Sequence, residues 1–363
     1  MRSAAAEDGR QARVGTPRGA TLQEIQRPVR DKLDDVSRAM ARIVASDMPL
    51  VGQVGAHLLA MRGKLFRPTL LLLSSQVEER EGSGKGDEGR GMREGGSGKG
   101  EAGRGKAVTL AAALELIHLA TLVHDDAVDH SALRRGMPTV NALFSHQISV
   151  IMGDFLYSTA LTHLVGLGDL EALQALTRAS TEMTLGEMRQ LAVTEPLLFT
   201  EREYYDLIRS KTASLMRTAC ELGALAGARW YGAVLGDFGE NLGMAFQIAD
   251  DLLDYREEKE TTGKPSGLDL REHKVTLPLI HALRQMSASS RKEVERLFDS
   301  ETVTDEDIAS VVRIVEENGG FDYARERGDE YAEKAYDALS DLPDTVARSS
   351  LTASISYVME RHS

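Results

Sequence analysis

The sequence predicts an all-α protein folded as a single domain, and three observations carry that expectation. From residue 22 onward, apolar residues recur at steps of three and four, the spacing of a helix face packed on a core. Period-two alternation bounded by turn residues, the mark of half-buried strands, is missing. Leu and Ala dominate a chain that is 42% hydrophobic and only 5% aromatic, a composition that leans towards helix.

The elements follow in chain order. Residues 1–21 are Arg- and Ala-rich and are expected as a disordered tail. They faintly resemble an organelle transit peptide, but Glu7 and Asp8 oppose that reading, and no continuous apolar segment of a secretory signal is present. In "LQEIQRPVRDKLDDVSRAMARIV", Leu22, Ile25, Val29, Leu33 and Val36 mark a first helical stretch. "PLVGQVGAHLLAM" leads into "RGKLFRPTLLLLSSQV", where Pro68 suits the first turn of a further helix. Residues 81–106 then carry eleven glycines among 26 positions. Such a stretch buries too little apolar area to offset its ordering entropy, so it is expected as a flexible Gly-rich loop inserted in the domain spanning 22–363. It lacks the GxxxxGK[ST] of a phosphate loop. Beyond it, long helical segments run to the C-terminus, from "KAVTLAAALELIHLATLVHDDAVD" onward.

The net charge of −13 argues against a nucleic-acid-binding role, because neutralising phosphates needs excess Lys and Arg. No unbroken apolar run reaches the roughly 18 residues of a membrane span. The single cysteine, Cys220, excludes an internal disulfide framework, suits a reducing cytoplasmic compartment and reads as a core residue.

Two aspartate clusters stand out. Asp125, Asp126 and Asp129 end one apolar helix, and Asp250, Asp251 and Asp254 repeat the D-D-x-x-D spacing at the end of another. Positions i and i+4 share a helix face, so Asp125 pairs with Asp129 and Asp250 with Asp254, and like charges so placed destabilise a helix unless something neutralises them. A hard cation such as Mg²⁺ takes carboxylate oxygens and leaves room for phosphate. An EF-hand is excluded because D-x-D-x-D-G is absent, and His118, His124 and His130 are spaced to fan around a helix instead of converging on zinc. Basic residues flank both clusters: Lys64 and Arg67, Arg134 and Arg135, Lys211 beside Thr212, and Lys264 and Lys274. Arg matches phosphate oxygens bidentately and Lys acts as a point charge, so together they bracket two anionic groups.

The residues "GKLFRP", "ELIHLATLVHDDAVDHSALRRGMPT", "MGDFLYS", "GEMRQL", "KTASL", "FQIADDLLD" and "GKPSGLDLREHKVTLP" give the chain, from about residue 25 to its end, a close resemblance to the trans-type isoprenyl diphosphate synthases of the polyprenyl synthetase family. The resemblance implies an isoprenoid-synthase helical bundle around a central cavity, a homodimer, and a cluster of about three Mg²⁺ ions between the two motifs. It implies Mg²⁺ on Asp125, Asp129, Asp250 and Asp254. Arg134, Lys211, Thr212, Gln247 and Lys264 would meet the allylic diphosphate, with Lys274 close by. Lys64, Arg67, His118 and Arg135 would hold isopentenyl diphosphate. The family's G-G-K-R-x-R-P pattern is altered at Arg62 and Leu65, which touches the tuning of that second site.

The implied chemistry needs no protein nucleophile: charge building on the departing diphosphate is stabilised electrostatically, and an apolar cavity shields the allylic cation. Bulky aromatics before the first motif stop growth in the family; here Ala120 and Thr121 are small, so a product longer than about C20 is expected, of octaprenyl or solanesyl type, with Met152 and Phe155 as further wall candidates. The rival readings are a geranylgeranyl- or farnesyl-length synthase, a class I terpene cyclase and a non-catalytic subunit. The second D-D-x-x-D and the Lys64/Arg67 pair oppose the last two.

Overall fold

The chain enters its first helix through a hydrogen-bonded cap. Thr21 accepts from the amide of Glu24, whose carboxylate returns to the Thr21 amide at 2.7 Å, satisfying two end-of-helix donors at once. In this computed structural model, residues 19–61, 63–78, 96–256 and 267–360 are described. Helices α1 (Leu22–Gln26) and α2 (Arg30–Val44) are joined by a 3₁₀ turn carrying Pro28. Helix α2 buries Leu33, Val36, Ala39, Met40, Ile43 and Val44, the stripe that the sequence spacing predicts. Next come α3 (Pro49–Ala60) and α4 (Phe66–Ser74), with Pro68 in the first turn of α4 as expected.

Helix α5 (Gly96–Val128) is the centre of the bundle. Its residues Leu110 to Ile117 are buried all round, because α2, α4, α7 (His146–Gly166) and α10 (Ser214–Gly227) pack on its sides. A helix apolar on every face belongs in such a position. Between α5 and α7 lie a small hairpin of β1 (Leu133–Arg134) and β2 (Met137–Pro138) and the short α6 (Val140–Leu143). Helix α8 (Leu170–Leu191) lies against α10; α9 (Glu201–Ile208) runs into a π-helical turn, Arg209–Ala213, before α10. Helix α11 (Gly232–Arg256) spans two adjoining apolar clusters: Leu242 and Ala245 join the first, Met244, Ile248 and Leu252 the second. The second cluster is completed by α12 (Leu268–Arg271), α13 (Leu277–Gln285), α14 (Ala288–Phe298), α15 (Asp305–Glu317) and α16 (Gly320–Ala338). The final helix, α17 (Val346–Glu360), returns to α1 and α4.

Three expectations are corrected. The Gly-rich loop of 81–106 lies outside the described residues up to 95, but from Gly96 the chain is already helical. Once the apolar run beyond 106 has nucleated a helix, each further residue adds a bond at low cost, and that outweighs glycine's poor propensity. Lys106 pins the junction, donating to the Leu225 carbonyl at 2.9 Å and pairing with Asp169 at 2.6 Å. Two helices, 105–128 and 146–166, also have the length and composition to cross a membrane, contrary to the reading of unbroken runs alone. The first is a core helix, 67% buried; the second is only 33% buried. The predicted tail boundary at 21 gives way to order from Gly19, whose amide donates to Glu360 at 2.8 Å.

Candidate active site

Each aspartate motif splits its carboxylates in the same way. In the first, at the end of α5, Asp126 is 4% exposed and takes both its oxygens to Arg134 Nε, at 2.8 and 2.9 Å. Asp125 and Asp129 are left facing cavities. In the second, Asp251 is 6% exposed; Tyr204 Oη donates to its Oδ2 at 2.6 Å and Gln247 Nε2 to its Oδ1 at 2.7 Å. Asp250 is exposed at the helix surface. Asp254 accepts the amides of Leu268 and Asp269, each at 3.0 Å, and so caps α12.

Two cavities meet at the π turn. The larger, about 540 Å³, is lined by Asp129, Asp251, Asp269, Glu272, His273 and Lys274 and by apolar residues including Leu191, Phe199 and Leu207. The smaller, about 230 Å³, is lined by Asp125, His118, Thr121, Leu122, Met183 and Leu215, with Arg67 and Glu187. Lys211 and Thr212 line both. Widened turns of this kind recur at functional sites. Here the turn pushes Ala213 against α11 at Gly243, where an added Cβ would lie 2.6 Å from the Ala213 Cα. Lys211 Nζ is thereby brought to Glu187 at 2.7 Å and to Gln190 at 3.1 Å.

Electrostatics favour a cation. Burial, with Glu187 and Asp129 nearby, raises the Asp125 carboxyl to about 7, against the pull of Lys211 and Arg134. Burial also raises Asp269, helped by Asp251 and Asp254. Carboxylates raised mainly by burial, with like-charged neighbours adding to it, gain from a cation beside them, and they offer hard oxygen donors of the kind Mg²⁺ takes. Among the described residues no three acidic or histidine groups form a ready-made chelate. That accords with an ion held by one or two carboxylates and completed by phosphate oxygens.

Of the residues expected to hold the second diphosphate, Arg67 and His118 are half-buried on the wall of the smaller cavity, whereas Lys64 and Arg135 are exposed. Arg67 Nη1 meets His118 Nε2 at 2.9 Å, and burial with Arg67, Arg135 and Arg134 nearby holds His118 well below the usual imidazole range, so it is a neutral acceptor. Glu115 is buried beside Arg67 and Arg135, and its Oε2 and Arg67 Nε both lack a hydrogen-bond partner. Arg135 and Gly136 both have positive φ in the β1–β2 turn, the requirement of a type I′ hairpin. That conformation sends Arg135 Nη1 to the Met61 carbonyl at 3.1 Å, over Gly63, where a Cβ would sit 2.5 Å from the same nitrogen. Lys64 is exposed and donates to Tyr357 Oη at 3.2 Å.

Of the chain-length residues, Thr121 lines the smaller cavity, while Ala120 is 1% exposed and packed in the core. Met152 and Phe155 also belong to core packing. Lys264 and Arg62 lie outside the described residues. Cys220 is a core residue as expected, its thiol pushed up to about 12 by burial. Sequence reasoning missed Tyr204, Glu115 and Glu187 as site residues and gave no role to Asp251 or Asp269. The two aspartates lay within quoted motifs; Tyr204 carried no signal beyond a helical pattern.

The family model for polyprenyl synthetase matches residues 48–315. The chain is 33% identical to the octaprenyl diphosphate synthase of Escherichia coli (strain K12), over 94% of this chain and 99% of that protein. Among solved structures it is similar to a decaprenyl diphosphate synthase from Rhodobacter capsulatus, with TM-score 0.83 and 31% identity over 94% of this chain and 100% of that one. It is equally similar to a polyprenyl synthase from Caulobacter crescentus CB15 complexed with calcium and isoprenyl diphosphate, with TM-score 0.83 and 31% identity over 96% and 100% of the two chains.

Proposed function

The chain belongs to the polyprenyl synthetase family and is a trans-polyprenyl diphosphate synthase, and on that premise we propose that it condenses isopentenyl diphosphate with an allylic diphosphate in a Mg²⁺-dependent reaction. The observation that carries this reading is that residues of both aspartate motifs, Asp129 and Asp251, line one cavity, which shares Lys211 and Thr212 with a second cavity lined by Asp125, Arg67 and His118. Two anionic substrates need two such sites.

Asp125 and Asp129 on one motif and Asp250 and Asp254 on the other, with Asp269 beside them, are the carboxylates that would hold the metal, about three ions in all. When bound, such ions neutralise charge developing on the leaving diphosphate. Lys211, Arg134 and Lys274 bind and orient the allylic diphosphate. Gln247 contributes an amide hydrogen. Thr212 has spent its own hydrogen on Gln247 Oε1, at 2.7 Å, and so presents only lone pairs. Arg67, Arg135, Lys64 and neutral His118 hold isopentenyl diphosphate. The allylic C–O bond breaks, the isopentenyl double bond attacks the resulting cation, and a proton leaves to the released diphosphate. Thr121, Leu122, Met183 and Leu215 exclude water from the hydrocarbon.

A product longer than about C20 is supported by the likeness to octaprenyl and decaprenyl synthases and by the small Thr121. A homodimer is supported by the exposed apolar residues Ile151 and Val165 on α7, and a cytoplasmic location by the lone buried cysteine. Incubation of the purified protein with isopentenyl diphosphate, an allylic starter and Mg²⁺, followed by chromatography, tests the proposal. A series of prenyl diphosphates beyond C20 is expected; absence of any condensation product overturns it.

A further inference from the structure

We propose that Tyr204 is a positioning residue for the second aspartate motif, acting through Asp251 on the allylic diphosphate site; the inference rests on the reading above. Tyr204 is 2% exposed, lies on α9 and is packed in the second apolar cluster. Its hydroxyl begins a continuous hydrogen-bonded chain: Tyr204 Oη to Asp251 Oδ2 at 2.6 Å, Gln247 Nε2 to Asp251 Oδ1 at 2.7 Å, and Thr212 Oγ1 to Gln247 Oε1 at 2.7 Å. The polarity of this chain follows from its members. A carboxylate accepts at both oxygens, so Gln247 must turn its amide nitrogen to Asp251 and its carbonyl to Thr212. That fixes one Gln247 hydrogen on Asp251 and frees the second for a ligand. The chain therefore ties the π turn, with Lys211 and Thr212, to the helix end that carries Asp250.

Removal of the phenol oxygen leaves Asp251 Oδ2 a buried acceptor with one donor fewer. Asp251 is then free to rotate, and the Gln247 amide loses its defined orientation. Groups of this kind that orient metal-binding and substrate-binding side chains cost about 10- to 100-fold in metal affinity or activity when removed. The isopentenyl site at Arg67 and His118 is not a member of the chain.

The test is the full-length Tyr204→Phe protein, titrated calorimetrically with inorganic diphosphate in the presence of Mg²⁺, alongside steady-state kinetics and thermal melting. Mg²⁺-dependent diphosphate binding is expected to weaken at least about tenfold, with KM for the allylic substrate raised and KM for isopentenyl diphosphate unchanged. In an Asp251→Asn background the same substitution adds little further loss, because the two act as one unit. A lowered melting temperature with unchanged diphosphate binding, or an equal loss for both substrates, overturns the proposal. Should Tyr204→Phe not fold, Asp251→Asn alone carries the same expected selectivity, since an amide keeps one acceptor oxygen and turns a donor to the other partner, so one of the two bonds made by Tyr204 and Gln247 is broken or reversed. Failure of the wild-type protein to bind Mg²⁺ and diphosphate overturns the functional reading instead.

Discussion

Arg67 shows how much a single side chain is asked to do. It is half-buried, gives Nη1 to His118, and keeps a buried Nε without a partner. Lysine offers one point charge and cannot reproduce a planar fork. Arg67→Lys is therefore expected to raise KM for isopentenyl diphosphate roughly tenfold, about 1.4 kcal/mol, and to leave the allylic KM unchanged; parallel changes in both constants count against the two-subsite assignment. Asp125 yields a pH prediction. Its folded carboxyl titrates at about 7, above the ordinary value of about 3.9 in an unfolded chain. Between these values the unfolded state binds fewer protons, so stability falls as pH rises from about 4 to 7 and is level above that. Melting curves in chelator-containing buffer are expected to show this slope, and Asp125→Asn to flatten it; an unchanged slope refutes the assignment. The paired aspartates were legible in the sequence because a four-residue spacing on a helix defines a face. Glu115 and Tyr204 were not, since each sits in a helical pattern and becomes polar machinery only when α4 or α11 is packed beside it. Leu65, His130, Arg135 and His273, the non-glycine residues with positive φ among those described, were equally silent, because such strain of about 1–3 kcal/mol is imposed by surroundings.

At the scale of elements, the π turn is the part on which the site depends most. It places Lys211 and Thr212 between the cavities only because α11 offers Gly243 at the point of contact. Gly243→Ala is expected to cost about 1–3 kcal/mol through overpacking, read as a lower melting temperature, and to reduce turnover beyond what that loss of stability explains. Normal turnover in a correctly folded variant would show that the turn tolerates displacement. Helix extent and order were legible from apolar periodicity, including the stripe of α2 and the wholly buried centre of α5. The widened turn was not, because "RSKTAS" is an ordinary helical sequence whose extra residue is absorbed by contacts with α8 and α11. The N-terminal part of α5 was misread for a related reason: glycine content speaks for local propensity, whereas a segment that extends an existing helix is spared the cost of nucleation.

For the whole molecule, the outer side of α7 carries exposed apolar residues that invite a partner. Ile151 and Val165 are 67% and 63% exposed on a helix only one-third buried, and Leu170 at the start of α8 is 65% exposed. Such a surface is costly in a monomer. Light scattering is expected to report a dimer, and Ile151→Glu to shift it towards monomer; a wild-type monomer at micromolar concentration would leave the homodimer without support. The smaller cavity has a consequence of its own. A void of about 150 Å³ holds one benzene molecule, so 230 Å³ takes on the order of ten carbons. A longer hydrocarbon must part Leu122, Met183 and Leu215, doing work against the bundle, while each added C5 unit returns about 4 kcal/mol by leaving water. On the proposed reaction, product length would then answer to the stiffness of this apolar lining as well as to the volume it encloses, and would lengthen in the warm.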